Sequence, residues 1–195
     1  MAQVYPRIAN PFMPNGTPDK TNSPTPFYAP GEIGGAFNDQ NTGGSYLRVL
    51  LDSSATSATP VGAVAAGQIA YWKNRSQSLV TNDSRFADVG PTGAINRVAG
   101  IFQTAVSASP GVTGTDGLPQ QYVCDLIIQK LAASVQAASA LAGAQATVDT
   151  TANTARVVYT TGVNTAPVSQ VIGTFISSTI TNNLATVDVN IGFVD

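Results

Sequence analysis

Two stretches of this 195-residue chain carry the same short patterns in the same order, and this internal repeat constrains the fold more than any other feature. The best match sets RVAGIFQT against QVIGTFIS, and each copy has an Ala-Gly step into an apolar run before it and an aspartate-centred apolar run after it. Three matches in one order indicate a duplicated unit of three strands. The matched segments are 66–72 with 142–148, 97–104 with 170–177, and 123–128 with 186–191.

The spacing within the matches supports strands in the same register. Alternate residues of the middle match are identical: Val98, Gly100 and Phe102 correspond to Val171, Gly173 and Phe175. A glycine at a fixed place inside a strand indicates a bulge or a close approach of another backbone. In the last match Asp125 is set against Asp188, and the alternation predicts that both point away from the core.

Short runs with strand periodicity recur through the rest of the chain, separated by Gly, Asn and Pro turns. Such spacing is typical of a sandwich or a barrel. We predict an all-β fold: a small β-sandwich or barrel-like body over 46–195, built from two tandem pseudo-repeats at about 46–129 and 130–195. The segments 31–44, 78–95 and 107–120 are predicted to be loops. The predicted strands are 46–51, 67–73, 96–105, 121–129, 131–137, 144–149, 155–160, 169–177 and 185–194.

Residues 127–145 fit two structures. The segment is rich in alanine, which favours helix, and Ile127, Leu131 and Val135 lie on one helical stripe. The repeat instead predicts a strand that ends near Gln136 and is followed by a turn. Both alternatives remain open at this point.

The first 45 residues are predicted to form an extended arm and a loop. Seven of the twelve prolines lie before residue 31, and proline fixes φ, removes a donor and biases the preceding residue towards extended geometry. Apolar and aromatic residues punctuate this segment, which suits a strap that docks on a surface at a small entropy loss. The strap would lie on another molecule or, alternatively, on its own domain.

Composition narrows the classes of partner. Charged residues make up 10% of the chain, the net charge is −2 and the pI is about 4.8, so we expect no nucleic-acid partner. No apolar run is long enough to span a bilayer, so no membrane partner is expected. The N-terminus lacks the pattern of a secretory signal, which predicts synthesis in a cytoplasm. Cys124 is the single cysteine and is predicted to be a buried structural thiol.

The sequence predicts no catalytic, cofactor-binding or metal site. The chain has no histidine, the commonest general base and metal ligand, and its aspartates are not spaced for acid–base chemistry. Tyr71-Trp72 fits either a stacking platform for a ligand or, more usually, aromatic residues that cover the core. Asp116, in the predicted loop 107–120, is a further candidate ligand contact.

The tandem arrangement resembles the capsid decoration (cement) proteins of tailed bacteriophages. The residues that carry the resemblance are Ala66-Gly67-Gln68 with 98–102 in the first copy, and Ala142-Gly143, 148–151, 171–175 and 187–189 in the second. The resemblance covers roughly 46–195. It implies a non-enzymatic structural virion protein without cofactors, which self-associates as a homotrimer on the outer capsid surface and bridges major capsid protein subunits after synthesis in the host bacterial cytoplasm. The arm residues predicted to contact the capsid are Tyr5, Arg7, Phe12, Phe27 and Tyr28.

The alternative function is a host-surface or carbohydrate-binding β module of a phage head fibre or tail. In that case Tyr71, Trp72 and the loop around Asp116 would form the ligand site. Copy number separates the two, because a decoration protein of this family covers the head whereas tail-associated modules are few.

Overall fold

A computed structural model describes residues 36–39, 43–52, 63–83, 98–107, 121–149, 155–160 and 171–191. These residues form strands and turns, and no helix occurs among them, which confirms the all-β prediction for this part of the chain. The proline-rich arm lies outside the described residues. The strands are β1 (Ala36–Asp39), β2 (Gly44–Asp52), β3 (Ala63–Val64), β4 (Ile69–Asn74), β5 (Leu79–Thr81), β6 (Val98–Phe102), β7 (Val106–Ser107), β8 (Gln121–Gln136), β9 (Gln145–Val148), β10 (Val157–Thr160), β11 (Val171–Thr181) and β12 (Leu184–Asn190).

Five strands close into a barrel, which we call the first unit. β2 pairs in parallel with β5 and antiparallel with the first half of β8, while β4 lies between β5 and β6. β6 pairs in turn with β8, so the cyclic order is β2-β5-β4-β6-β8. β1 extends the sheet beside the start of β2, and β3 pairs with β7 as a separate ribbon. Closure leaves no free edge in the ring.

β8 is 16 residues long and continues beyond the barrel into a second set of strands, the second unit. Its second half pairs with β12, β12 pairs with β11, and β9 lies between β11 and β10. An isolated parallel bridge joins Ala137, just after β8, to Val157 in β10. The cyclic order β8-β10-β9-β11-β12 reproduces that of the first unit, with the parallel contact in the same place.

The register of the two units agrees residue by residue around the matched glycines. Ala70 lies opposite Gly100, and Ala146 lies opposite Gly173. Both glycines allow a close approach, as predicted. A Cβ atom on Gly100 would lie 2.6 Å from Leu126 Cβ, and one on Gly173 would collide with the carbonyl oxygen of Asp188.

The Ala-Gly steps also form equivalent turns. Gly67 has φ 81° and Gly143 has φ 79°, a left-handed conformation that glycine adopts without steric cost. The amide of Gly67 donates to Phe102 O at 2.9 Å, and that of Gly143 donates to Phe175 O at 2.8 Å. The duplication predicted from the sequence is therefore present in turns as well as strands.

The third sequence match is wrong by two residues. Phe102 lies opposite Leu126, whereas its counterpart Phe175 lies opposite Val187. Asp188 therefore corresponds to Ile127 and not to Asp125. A shift of two residues keeps every side chain on the same face, because the pleat repeats every two residues, so the alternation could not reveal it.

Side chains of the first unit complete the core of the second unit, whereas the interior of the first unit is a separate buried cluster. The second unit carries smaller side chains than the first at several equivalent interior positions. Side chains from the outer face of the first unit belong to the same buried cluster as this interior, namely Tyr46, Ile69, Tyr71, Val98, Ile101 and Ile127. Because protein interiors are close-packed, the small side chains of one unit accommodate the large ones of the other. The equivalent interior positions, with the larger residue of the first unit given first, are Leu47 and Ala133, Leu51 and Ala137, Trp72 and Val148, and Cys124 and Ala185.

Several boundaries differ from the prediction. β8 runs from Gln121 to Gln136 as one strand, so the helical alternative for 127–145 is wrong and the strand end near Gln136 is confirmed. β1 and β5 lie in segments predicted as loops, because strands of four and three residues carry too little periodicity to be recognised. β11 extends to Thr181 and turns through Asn182 and Asn183, both with positive φ, as a two-residue hairpin turn requires.

Candidate interaction surface

The two aromatic residues considered as a ligand platform are core residues. Tyr71 has no exposed surface, and Trp72 is 6% exposed. Trp72 belongs to the interior of the first unit, whereas Tyr71 belongs to the cluster shared by both units. A stacking platform needs an accessible ring face, so the structure fits the alternative in which both residues belong to the core. The other predicted contact residues, Tyr5, Arg7, Phe12, Phe27, Tyr28 and Asp116, lie outside the described residues.

Tyr71 brings a buried polar atom to the junction of the units. Its hydroxyl has no hydrogen-bond partner. Burial first, and then the charges of Asp149 and Asp83, raise the pKa of Tyr71 above its ordinary value. Asp83 follows β5 and is fully buried, and Asp149 follows β9, where Arg156 Nε donates to its carboxylate at 2.8 Å. Within the described ranges, no group of three or more acidic, cysteine or histidine side chains could hold a metal ion.

Cys124 is buried, as predicted. Burial first, and then the charge of Asp125, raise the pKa of its thiol well above the ordinary value, with Arg48 opposing them. Its Sγ lies 3.8 Å from Val49 O as a weak donor. A thiol that is neutral and shielded has a structural role, because the reactive form is the thiolate.

The first unit buries or pairs charged groups on its outer face. The Arg48 guanidinium donates to both carboxylate oxygens of Asp125, at 2.8 and 2.9 Å, and both residues are nearly buried. Lys73 Nζ lies 2.7 Å from Asp52 Oδ2. Asp125 thus points away from the interior of its barrel, as the alternation predicted, but its ion pair with Arg48 leaves it nearly buried.

Large apolar side chains are exposed in the second unit. Four large hydrophobic residues of the described chain are exposed, and all of them follow Lys130. Two lie on bulged segments of β8 and β11, and two lie in the turn after β8 and in β10. They are Leu131 (71% exposed), Ile176 (46%), Leu141 (41%) and Tyr159 (39%).

Two bulges create the most exposed part of this surface. Val187 lies opposite Ala133 and Val189 opposite Lys130, so Leu131 and Ala132 together face Asp188. On the other side of β12, Thr174 lies opposite Asp188, and the pairing of β11 with β12 is then interrupted between Phe175 and Ile180. A bulge re-aims a side chain and locally ends regular pairing. The outer face of β8, β12 and β11 therefore carries Asp188 between Leu131 and Ile176.

Equivalent positions of the first unit have the opposite character. Ile127 and Ile101 of the first unit are buried, whereas their counterparts Asp188 and Thr174 are exposed. In the first unit this outer face packs against the second unit. The equivalent outer face of the second unit is polar at these two positions. Leu131 and Ile176 are exposed on this otherwise polar face, which makes the face a candidate interaction site.

Sequence reasoning missed Leu131 and Ile176 as surface residues. In the sequence Leu131 fits a helical stripe or a strand, and Ile176 lies in the predicted strand 169–177 next to Phe175. The exposure of Leu131 results from a bulge, which depends on pairing with β12 and leaves no local signal, whereas Ile176 is exposed because it alternates with the buried Phe175. Asp188 was correctly predicted to point away from the core.

Comparison with protein-family models, with curated proteins and with solved structures finds no match. Among the described residues, no helix is long and apolar enough to cross a membrane.

Proposed function

We propose that this protein is a structural virion protein that decorates an assembled phage head and holds neighbouring major capsid protein subunits together. The observation that carries the proposal is the uneven surface of the described body. Among the described residues, the four large apolar side chains that are exposed all lie in the second unit. Exposed apolar side chains that are confined to one unit of the body favour docking of that unit against another protein.

The construction of the body supports a mechanical role. The two units share β8 and one buried cluster, so a load on one unit is transmitted to the other through a continuous strand and core. A protein that binds only the assembled shell stabilises that state by mass action. Many copies on one particle make individually weak contacts collectively strong.

A titration of the purified protein onto assembled heads that lack it tests this function. We expect saturation at a fixed, high ratio of copies to major capsid subunits, and heads that survive heating or low salt better than undecorated heads. Replacing Leu141 and Tyr159 together by serine should weaken binding, because both are exposed apolar residues of the second unit. A Thr181→Ser variant, also exposed, is the matched control.

Absence of binding, or a few copies per particle, would overturn the proposal. The carbohydrate-binding alternative has lost the support of Tyr71 and Trp72, whose rings are buried. The predicted shell contacts of the arm and the predicted trimer stay predictions. Removal of residues 1–30 should leave a folded body with weaker shell binding.

A further inference from the structure

The outer face of β8, β12 and β11 presents an acidic side chain between two exposed apolar ones. We propose that this face binds residues 5–8, Tyr5-Pro6-Arg7-Ile8, from the N-terminal segment of a neighbouring copy of the chain. The acceptor residues are Leu131, Asp188 and Ile176.

The spacing of the acceptor follows from the sheet. β12 lies between β8 and β11, and neighbouring strands are about 4.8 Å apart. Ile176 lies two residues beyond Thr174, the residue opposite Asp188, so the two apolar anchors are separated diagonally by about 12 Å. Asp188 lies on the strand between them and is exposed. It forms no ion pair with another described residue, and the ammonium of Lys130 donates to the Tyr46 hydroxyl at 3.3 Å. One carboxylate thus stands between two apolar anchors.

Both anchors are held out by irregular backbone. Ala132, beside Leu131, has φ 55°, a left-handed conformation unfavourable for a residue with a Cβ atom. Ile176 begins the stretch of β11 that leaves the ladder with β12. Strained and bulged backbone concentrates at functional sites, where it sets the direction of a side chain. Two such features on one face point to a binding role.

The N-terminal segment has the complementary pattern. Pro6 favours polyproline II geometry, which has three residues per turn and a rise of about 3.1 Å per residue. In that geometry Tyr5 and Ile8 would lie on the same side, about 9 Å apart. Arg7, the first charged side chain of the sequence, lies between them along the chain and points about 120° away from that side, and it is long enough to fold back to a carboxylate beside the apolar contacts. The two apolar side chains of the segment would then contact Leu131 and Ile176, and its cation would pair with Asp188.

The direction of β1 favours a neighbouring copy over the same chain. Ala36 lies opposite Leu47, and Asp39 lies opposite Gly44, which in turn lies opposite Lys130 at the start of the second unit. The chain therefore enters β1 at the end farther from the second unit and runs towards it. A contact within one chain would require the segment before Ala36 to turn back along the body, whereas a contact with a neighbouring copy requires no such reversal.

Such a contact joins different surfaces on the two partners. A head-to-tail contact of this kind closes into a ring when its rotation allows. The remaining arm anchors Phe12, Phe27 and Tyr28 stay available for the shell. The inference is independent of the shell, because it concerns contacts between copies of this chain alone.

Charge exchange in the full-length protein tests the contact. We expect the wild type to have a mass in solution that is a multiple of 20.0 kDa, measured by light scattering over a concentration series. Arg7→Glu and Asp188→Arg should each weaken self-association roughly tenfold or more, because like charges replace an ion pair. The double variant Arg7→Glu with Asp188→Arg should regain the wild-type mass. Unchanged mass in both single variants, or a monomeric wild type, would overturn the inference.

Asn190→Arg is the matched control, because Asn190 is exposed on the same strand two residues from Asp188. It should leave the mass unchanged. Far-UV circular dichroism and thermal melting establish that each variant is folded. Leu131→Ser combined with Ile176→Ser should also lower the mass, which tests the apolar half of the contact without altering charge.

Disulfide trapping distinguishes a neighbouring copy from the same chain. One tagged protein carries Arg7→Cys and a second, differently tagged protein carries Asp188→Cys, while the native Cys124 is buried. Mixing them under oxidising conditions should produce a linked pair that contains both tags. A chain with both substitutions that links only to itself, whatever the concentration, would overturn the assignment to a neighbouring copy.

Discussion

Tyr71 and Tyr46 are both fully buried, but only one has a partner for its hydroxyl. Tyr71 Oη has no hydrogen-bond partner, whereas Tyr46 Oη accepts from Lys130 Nζ at 3.3 Å. An unsatisfied buried hydroxyl loses its hydration without compensation. Tyr71→Phe should therefore leave the free energy of unfolding unchanged or raise it by up to about 1 kcal/mol. Tyr46→Phe, the matched control, should lower it by about 1 kcal/mol. Urea unfolding measures both, and a clear loss of stability in Tyr71→Phe would contradict the prediction.

The same residue predicts a dependence of stability on alkaline pH. The folded pKa of Tyr71 is raised above the ordinary value of about 10, so the unfolded chain releases this proton first as the pH rises. Above about pH 10 the unfolded state binds fewer protons than the folded state, and stability falls by up to about 1.4 kcal/mol per pH unit. Tyr71→Phe should show a shallower fall between about pH 10 and 11. Cys124 contributes the same sign in both proteins, so parallel curves would exclude a role for Tyr71.

Among the strands, the prediction concerns the contact of β11 with β12. A Cβ atom on Gly173 would collide with the backbone oxygen of Asp188, and backbone atoms cannot move aside like the end of a side chain. Gly173→Ala should therefore lower the free energy of unfolding by about 3 kcal/mol or prevent folding. Gly143→Ala is the control, because its φ is 79° and no atom lies within 4 Å of the added Cβ. Conformational strain alone should lower the free energy of unfolding of the Gly143→Ala variant by about 1 kcal/mol. Equal losses in the two variants would show that close approach is not the cause.

At the scale of the whole molecule, the shared strand and core predict one cooperative unfolding transition. Phe102 and Phe175 occupy equivalent interior positions of the two units, and each is nearly or fully buried. Phe102→Ala and Phe175→Ala should each lower the stability by about 3–5 kcal/mol. Trp72, the single tryptophan, lies in the interior of the first unit and reports that unit. In Phe175→Ala, the fluorescence of Trp72 should nevertheless show the same lowered stability as circular dichroism.

Separate transitions for the two signals in Phe175→Ala would show that the units unfold independently. The expected coupling has a structural cause. Six side chains from the outer face of the first unit complete the core of the second, and β8 belongs to both. A fragment containing only residues 121–195 should accordingly remain unfolded.

The positions of Gly100 and Gly173 were predictable, because an Ala-Gly turn and a glycine inside an alternating strand are local patterns. The third match was wrong because it also rested on a local pattern, and a two-residue slip preserves the alternation. Only pairing with β6 and β11 shows that Leu126 corresponds to Val187. Of the candidate surface, the outward direction of Asp188 was predicted from the alternation, whereas Leu131 is exposed by a bulge that no local pattern records.

The sequence by itself determined that the chain is a duplicated β structure and that its middle strands share a register, because turn glycines and pleat alternation act over a few residues. Tertiary structure alone decided which face of each unit is covered. Tyr71 and Ile127 are buried because the second unit has small interior side chains beside them, while Asp188, the counterpart of Ile127, is exposed. Burial on an outer face depends on residues far away along the chain, and no local pattern records it.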